Sequence, residues 1–291
     1  MSKRSILSSV AVGAAVAAAV GALIRRPTLG SRRARRRFIR RNRPFLSTLP
    51  TLRRLIRLAL DRGIPKLSTD SVVYLLARRA ADDFEEILVL DTNGYGFGSL
   101  SLLRGMYERV VTAFHLHENP GDTDAFTDYH WVQRRKLARA IGDSIEKPLS
   151  PELLAQLEHN YDTVKTKYEV KLCSKCGAKG VNFRWHKLGV VDMAKGTAVQ
   201  AIRDLLVRAY YIPLEHAHST AGSLLFQVEE KNGALAIKQE QDSLWADHAV
   251  AVAQLLVLLA IAALRLRLNL AELQQPIDNC AKDHRMAWPN L

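Results

Sequence analysis

The chain has 291 residues, and 42 lysines and arginines against 29 acids give it a formal net charge of +13. Split after residue 66, the surplus falls on one side. The first 66 residues hold 17 basic groups and one acid, Asp61, for +16; the rest hold 25 basic and 28 acidic groups, for −3. A globally basic, nucleic-acid-coating domain is thereby excluded, and 48% apolar residues in a strongly patterned chain exclude disorder.

Ser5 to Ile24 runs without a charge. At about 1.5 Å per helical residue it reaches roughly 30 Å, the thickness of a hydrocarbon core. A membrane anchor, a cleaved signal peptide and a hydrophobic tail all fit that length. Small residues near its end (Ala17, Ala18, Ala19) suit a signal peptidase. The arginines that follow, Arg25 through Arg43, resist translocation and mark the cytoplasmic side. The expectation is a single-pass anchor over 1–24, with the bulk of the chain in the cytoplasm. An Arg cluster beside a span attracts anionic lipid headgroups, by about 1 kcal/mol per residue near the surface. The segment 25–66 reads as a juxtamembrane linker broken at Pro44 and Pro50. It carries an amphipathic helix over Thr51–Arg62 that either lies on the membrane or docks on the domain behind it.

From there on, apolar residues recur at i, i+3, i+4 and i+7, and strand signals are scarce. Helices are expected over about Ser68–Asp91, Ser99–His117, Asp122–Ile141, Pro151–Val170, Val190–Tyr211, Ser219–Glu229 and Asp242–Leu270. Asn93–Gly98 is a break, 171–183 a Cys-rich loop and 271–291 a tail of little periodicity. The fold class predicted is all-α, a helical bundle over 67–270 behind the anchor and linker. Ala249–Leu264 is apolar but short for a span, and a core helix is the better reading.

Three clusters can carry chemistry. Cys173 and Cys176, two residues apart and followed by Gly177, form the knuckle half of a structural zinc site. Cys280 and His284 offer the missing ligands from about 100 residues away, and an unmetallated loop with two thiols competes with that reading. Arg104 and Glu108 stand at i, i+4 and pair along a helix whose apolar flanks predict burial. His216 and His218 sit at a helix junction after Pro213, where histidines transfer protons, ligate metal or satisfy a turn. Arg104, Glu108, His216 and His218 together are the candidate polar cluster.

The segments NGYGFGSLSLLRGMYERVVTAFHLHENP, Asp128-Tyr129, RWHKLGVVDMAK and YYIPLEHAHST resemble, in that order, the bacterial helical family catalogued as domain of unknown function 5677. The resemblance covers about Leu67–Leu270. It implies a helical domain with a polar cluster at Arg104, Glu108 and His216/His218, and no reaction comes with it. A second enzyme class is tested by Arg109 and His115. Their R-x5-H spacing fits the motif of helical HEPN-type ribonucleases, but so many Arg and His residues produce it by chance. No phosphate loop, HExxH or nucleophile elbow occurs. The function expected is binding or assembly, self-association included, on a membrane. A HEPN-like ribonuclease or toxin-like enzyme is the alternative, and the acidic helical domain is a poor nucleic-acid partner.

Overall fold

The computed structural model describes residues 27–66, 69–144, 149–171, 176–217, 221–225, 228–231, 233–237 and 243–289. The expected anchor, 1–24, lies outside them. The helices are α1 (Pro27–Arg41), α2 (Arg43–Leu60), α3 (Thr69–Thr92), α4 (Gly96–Glu118), α5 (Thr123–Ser144) and α6 (Pro151–Val164). A short hairpin follows, β1 (Glu169–Lys171) antiparallel to β2 (Lys179–Val181). Next come α7 (Val190–Gly196), α8 (Gln200–Asp204), a π-helical turn (Val207–Tyr211), α9 (Ile212–Ala217) and α10 (Ala221–Leu225). A second hairpin pairs β3 (Val228–Lys231) with β4 (Ala234–Ile237), and α11 (Ser243–Leu268) and α12 (Gln274–Ala287) close the chain. The all-α expectation holds, with two small hairpins added.

The core is the trio α3, α4 and α11, which pack on one another. From α3 come Val73, Ala77, Phe84 and Ile87, and from α4 Leu103, Met106, Val110 and Phe114, all essentially inaccessible to solvent. At roughly 2 kcal/mol for each large apolar side chain taken from water, this seam dominates the stability. Helix α11 is apolar nearly all round, so it takes the central place such helices take. It is long and apolar enough to cross a membrane, but 72% of its most apolar stretch is buried within the bundle. Its interrupting polar residue, Gln254, is buried and accepts a hydrogen bond from Trp288 Nε1 at 2.8 Å. Asn269, at φ 53°, ends the helix in the left-handed conformation, and Leu270 N–H closes back on the Arg265 carbonyl.

The NGYGFG break does two jobs. Gly94 turns the chain at φ 87°, and a Cβ there would strike Ala34 of α1 at 2.8 Å. Gly96 opens α4 against the backbone of α11, where a Cβ would lie 2.8 Å from the Ala246 nitrogen. Any larger residue at Gly96 must push the two core helices apart.

Five expectations are corrected. The linker is not broken at its prolines: Pro44 sits in the first turn of α2, where its missing N–H costs nothing, and Pro50 lies inside the helix. Burial of Phe45, Leu49, Leu52 and Leu55 sustains α2 through Pro50, so its apolar face docks on the bundle, against α12. The 271–291 tail is largely helix α12, held by Ile277, Cys280 and His284 at spacings of three and four. The Cys-rich loop is bracketed by β1 and β2, and the helix expected over 219–229 ends at Leu225. The helix expected over 190–211 is three short pieces.

Candidate functional site

Helix α4 organises the polar chemistry. Phe97, Arg104, Glu108 and His115 are spaced by seven, four and seven residues and so share one helical face. Arg104 Nε donates to Glu108 Oε1 at 3.0 Å, with the two side chains 28% and 37% exposed. The pair therefore borders solvent, and the burial expected for it is not what its apolar flanks produce. The flanks face α3 and α11, and the pair faces the π-helical turn. There Tyr210 lies under the Arg104 guanidinium, 5.2 Å from ring centroid to Cζ. Tyr107 fixes this side by donating to the Ile202 carbonyl at 2.8 Å.

His216 packs its ring on Phe97 and Trp245, each at 5.1 Å between centroids. Burial lowers its pKa, with Glu215 opposing. Phe97 and Arg104 are two turns apart on α4, roughly 10 Å. Arg104, Glu108 and His216 thus lie along one stripe, while His218 lies outside the described residues.

Arg109 points about 120° away from this stripe. It donates to Asp83 of α3 at 2.6 Å, and Gly105 leaves room for its guanidinium, since a Cβ there would lie 3.0 Å from Nη1. Arg109 and His115 consequently serve different faces of α4 and different partners.

At the C-terminal end of the stripe, His115 Nε2 lies 2.8 Å from Asp122 Oδ2, and His186 Nε2 lies 3.5 Å from the same oxygen. Three segments bring these groups together: the last turn of α4, the tight turn Pro120–Asp122, and the loop after β2. Asn119 caps α4 by donating its amide to the His115 carbonyl at 3.1 Å. The loop is tied down from α5, where Tyr129 donates to the Asn182 carbonyl at 3.1 Å and stacks edge-on against Tyr168. Tyr129, Val132, Tyr161, Val164 and Tyr168 form a second, smaller core that carries the hairpin. Trp185 then wedges between Phe126, at 5.2 Å, and His115, at 5.7 Å. Leu188 N–H donates to His186 Nδ1 at 3.0 Å, which leaves the neutral ring's proton on Nε2, facing Asp122. Burial lowers the His186 pKa; Asp122 opposes this, and His115 and Lys187 add to it. Asp122, Trp185 and His186 had no place in the expected cluster. Part of their signal was present, since HLHENP and RWH stand in two of the segments that carried the family resemblance, and Asp122 follows two residues after the first.

The cysteine reading divides. Cys173 lies outside the described residues. Cys176 is exposed in the turn before β2, followed by Gly177 at φ 69°. Cys280 and His284 are buried on the inner face of α12, where His284 Nε2 meets the Ala251 carbonyl at 3.0 Å. Burial pushes the Cys280 thiol up to about 11, with Asp283 adding to it. This C-x3-H pair is committed to packing α12 on α11, and among the described residues it is not gathered with Cys176. The one group of three donors among them is His115, Asp122 and His186.

A cavity of about 570 Å³ opens elsewhere, where α1 and α2 meet the starts of α9 and α11 and the end of α12. Arg41, Asp247, His248 and Trp288 line it, and Asp247 is held by Arg41 at 2.5 and 2.8 Å and by Asn42 at 2.7 Å.

The fold and stripe define an all-α domain in which motif-bearing loops converge on one long helix. The chain belongs to the family of unknown function DUF5677, whose model matches residues 70–235, more than half of its length. No curated protein and no solved structure matches it. The matched stretch holds the whole α4 stripe and its loops, and it ends before α11.

Proposed function

We propose that this protein is a membrane-tethered DUF5677 domain that works by binding, with its arginine-bearing helices held against anionic lipid. One observation carries the reading. Phe38 of α1 and Phe45, Leu49, Leu52 and Leu55 of α2 are turned into the bundle, while Arg32, Arg33, Arg35, Arg36 and Arg40 of α1 and Arg43, Arg54 and Arg57 of α2 are exposed. The basic surface is thus built on docked helices, and it begins directly after the uncharged run of residues 5–24. Cations placed beside a span gain about 1 kcal/mol each near an anionic surface. Ion pairs fix the two helices to the domain: Arg41 at the end of α1 to Asp247 at 2.5 Å, Arg53 of α2 to Glu85 at 2.6 Å, and Arg62, just past α2, to Glu272 at 2.6 Å.

Two measurements test it. Cell fractionation should release the protein with detergent and not with high salt; release by salt alone removes the anchor. The full-length protein in nanodiscs should show slower amide exchange over 27–41 when the lipid includes phosphatidylserine than in phosphatidylcholine alone. Equal exchange in the two lipids removes the headgroup contact.

A further inference from the structure

We infer that His115, Asp122 and His186 form a binding site for a divalent transition-metal cation of the zinc type. Two imidazoles and one carboxylate are the donor set that zinc, cobalt or iron(II) prefers, whereas calcium and magnesium select oxygen-only shells. Donors bound to such an ion at about 2.0–2.2 Å stand roughly 3.3 Å apart in a tetrahedral arrangement. Here the two ring nitrogens lie 2.8 and 3.5 Å from one carboxylate oxygen, and all three donor atoms lie within 4.8 Å of one another.

The setting is preorganised on one side and open on the other. The His115 side chain is only 9% exposed, locked on α4 and against Trp185, while Asp122 and His186 are 34% and 22% exposed. A cation would take the place of the protons that the imidazoles now direct at Asp122. Three protein donors leave a fourth position on the open side for water or an exogenous ligand. For His186 the exchange has a structural requirement. Its Nδ1 accepts from Leu188 N–H, so for Nε2 to bind a cation the ring must change tautomer, losing its proton at Nε2 and carrying one at Nδ1, which displaces that amide. The adjustment falls at Leu188, an exposed residue at the end of the bent segment Phe183–Leu188, which belongs to no helix or strand.

Cobalt titration of the chelator-stripped, full-length protein tests the site. The background is Cys176→Ser, which removes the knuckle as a competing site. One equivalent of Co²⁺ should bind, with visible d–d absorption and no thiolate charge-transfer band. Affinity should fall at least about tenfold in both Asp122→Asn and His186→Gln. His186→Gln lies on a loop, so its circular dichroism and melting should match the parent and exclude unfolding as the cause. No d–d absorption in the Cys176→Ser protein overturns the site. Binding that is unchanged by both substitutions overturns it equally, and assigns the ion to other residues.

Discussion

Two levels of the α3–α4 interface handle the same problem in opposite ways. Asp83 and Asp91 are eight residues apart on α3, roughly 12 Å, and each is 1% exposed. At the Asp83 level, α4 runs alongside and supplies Arg109 at 2.6 Å, with Arg79 adding a contact at 3.2 Å. Burial still raises the Asp83 pKa against the pull of Arg109 and Arg79. At the Asp91 level the chain is already turning through Asn93–Tyr95, and among the described residues no cation pairs with either buried Asp91 carboxylate oxygen. Burial pushes Asp91 up to about 8, with Ser99 opposing and Asp247 of α11 adding to it. The contrast shows that a guanidinium from the facing helix opposes the upward push of burial on a carboxylate, and that a tight turn leaves no room for one.

Breaking the paired level should cost most. Arg109→Ala leaves Asp83 with Arg79 alone, and urea unfolding should show a loss of about 3 kcal/mol or more. Asp83→Asn combined with Arg109→Gln should cost less than Arg109→Ala, because no lone buried charge remains. The unpaired level should respond to pH. An unfolded aspartate titrates near 3.9, so between about 4 and 8 the folded state binds the extra proton. Asp91 then contributes a stability that falls as pH rises through that window, by up to about 1.4 kcal/mol per unit, and levels off above 8. Asp91→Asn should flatten this slope and raise the melting temperature at pH 8 relative to the parent; a steeper slope in the variant would contradict the assignment. The smallest effect belongs to the stripe. Arg104→Ala removes a solvent-bordered pair and should change stability by less than about 1 kcal/mol.

Much of this was readable in the residues. The helices α3, α4 and α11 follow from apolar spacing, and the NGYGFG break from its glycines. Helix α12 was legible but thin, since Ile277, Cys280 and His284 are a narrow inner stripe on an otherwise polar segment. The β3–β4 hairpin also carries a signal, Asn232-Gly233 between two short runs, which competes with a helical pattern that reaches Glu229. The His115–Asp122–His186 cluster needed the fold, because its third member arrives more than sixty residues later in the chain, on a loop placed by Tyr129 and Trp185. The same holds for the Asp83–Arg109 pair: R-x5-H spacing drew attention to Arg109, and helix geometry then turned it away from His115.

The position of α11 in the chain also bears on how the protein is made. The helix that fills the centre of the bundle begins only at Ser243, so α3 and α4 leave the ribosome with their shared apolar seam uncovered. The bundle closes late, because α11 begins about 150 residues after α3 ends. A chain stopped at residue 235, where the family match ends, should aggregate or bind chaperones where the full chain folds.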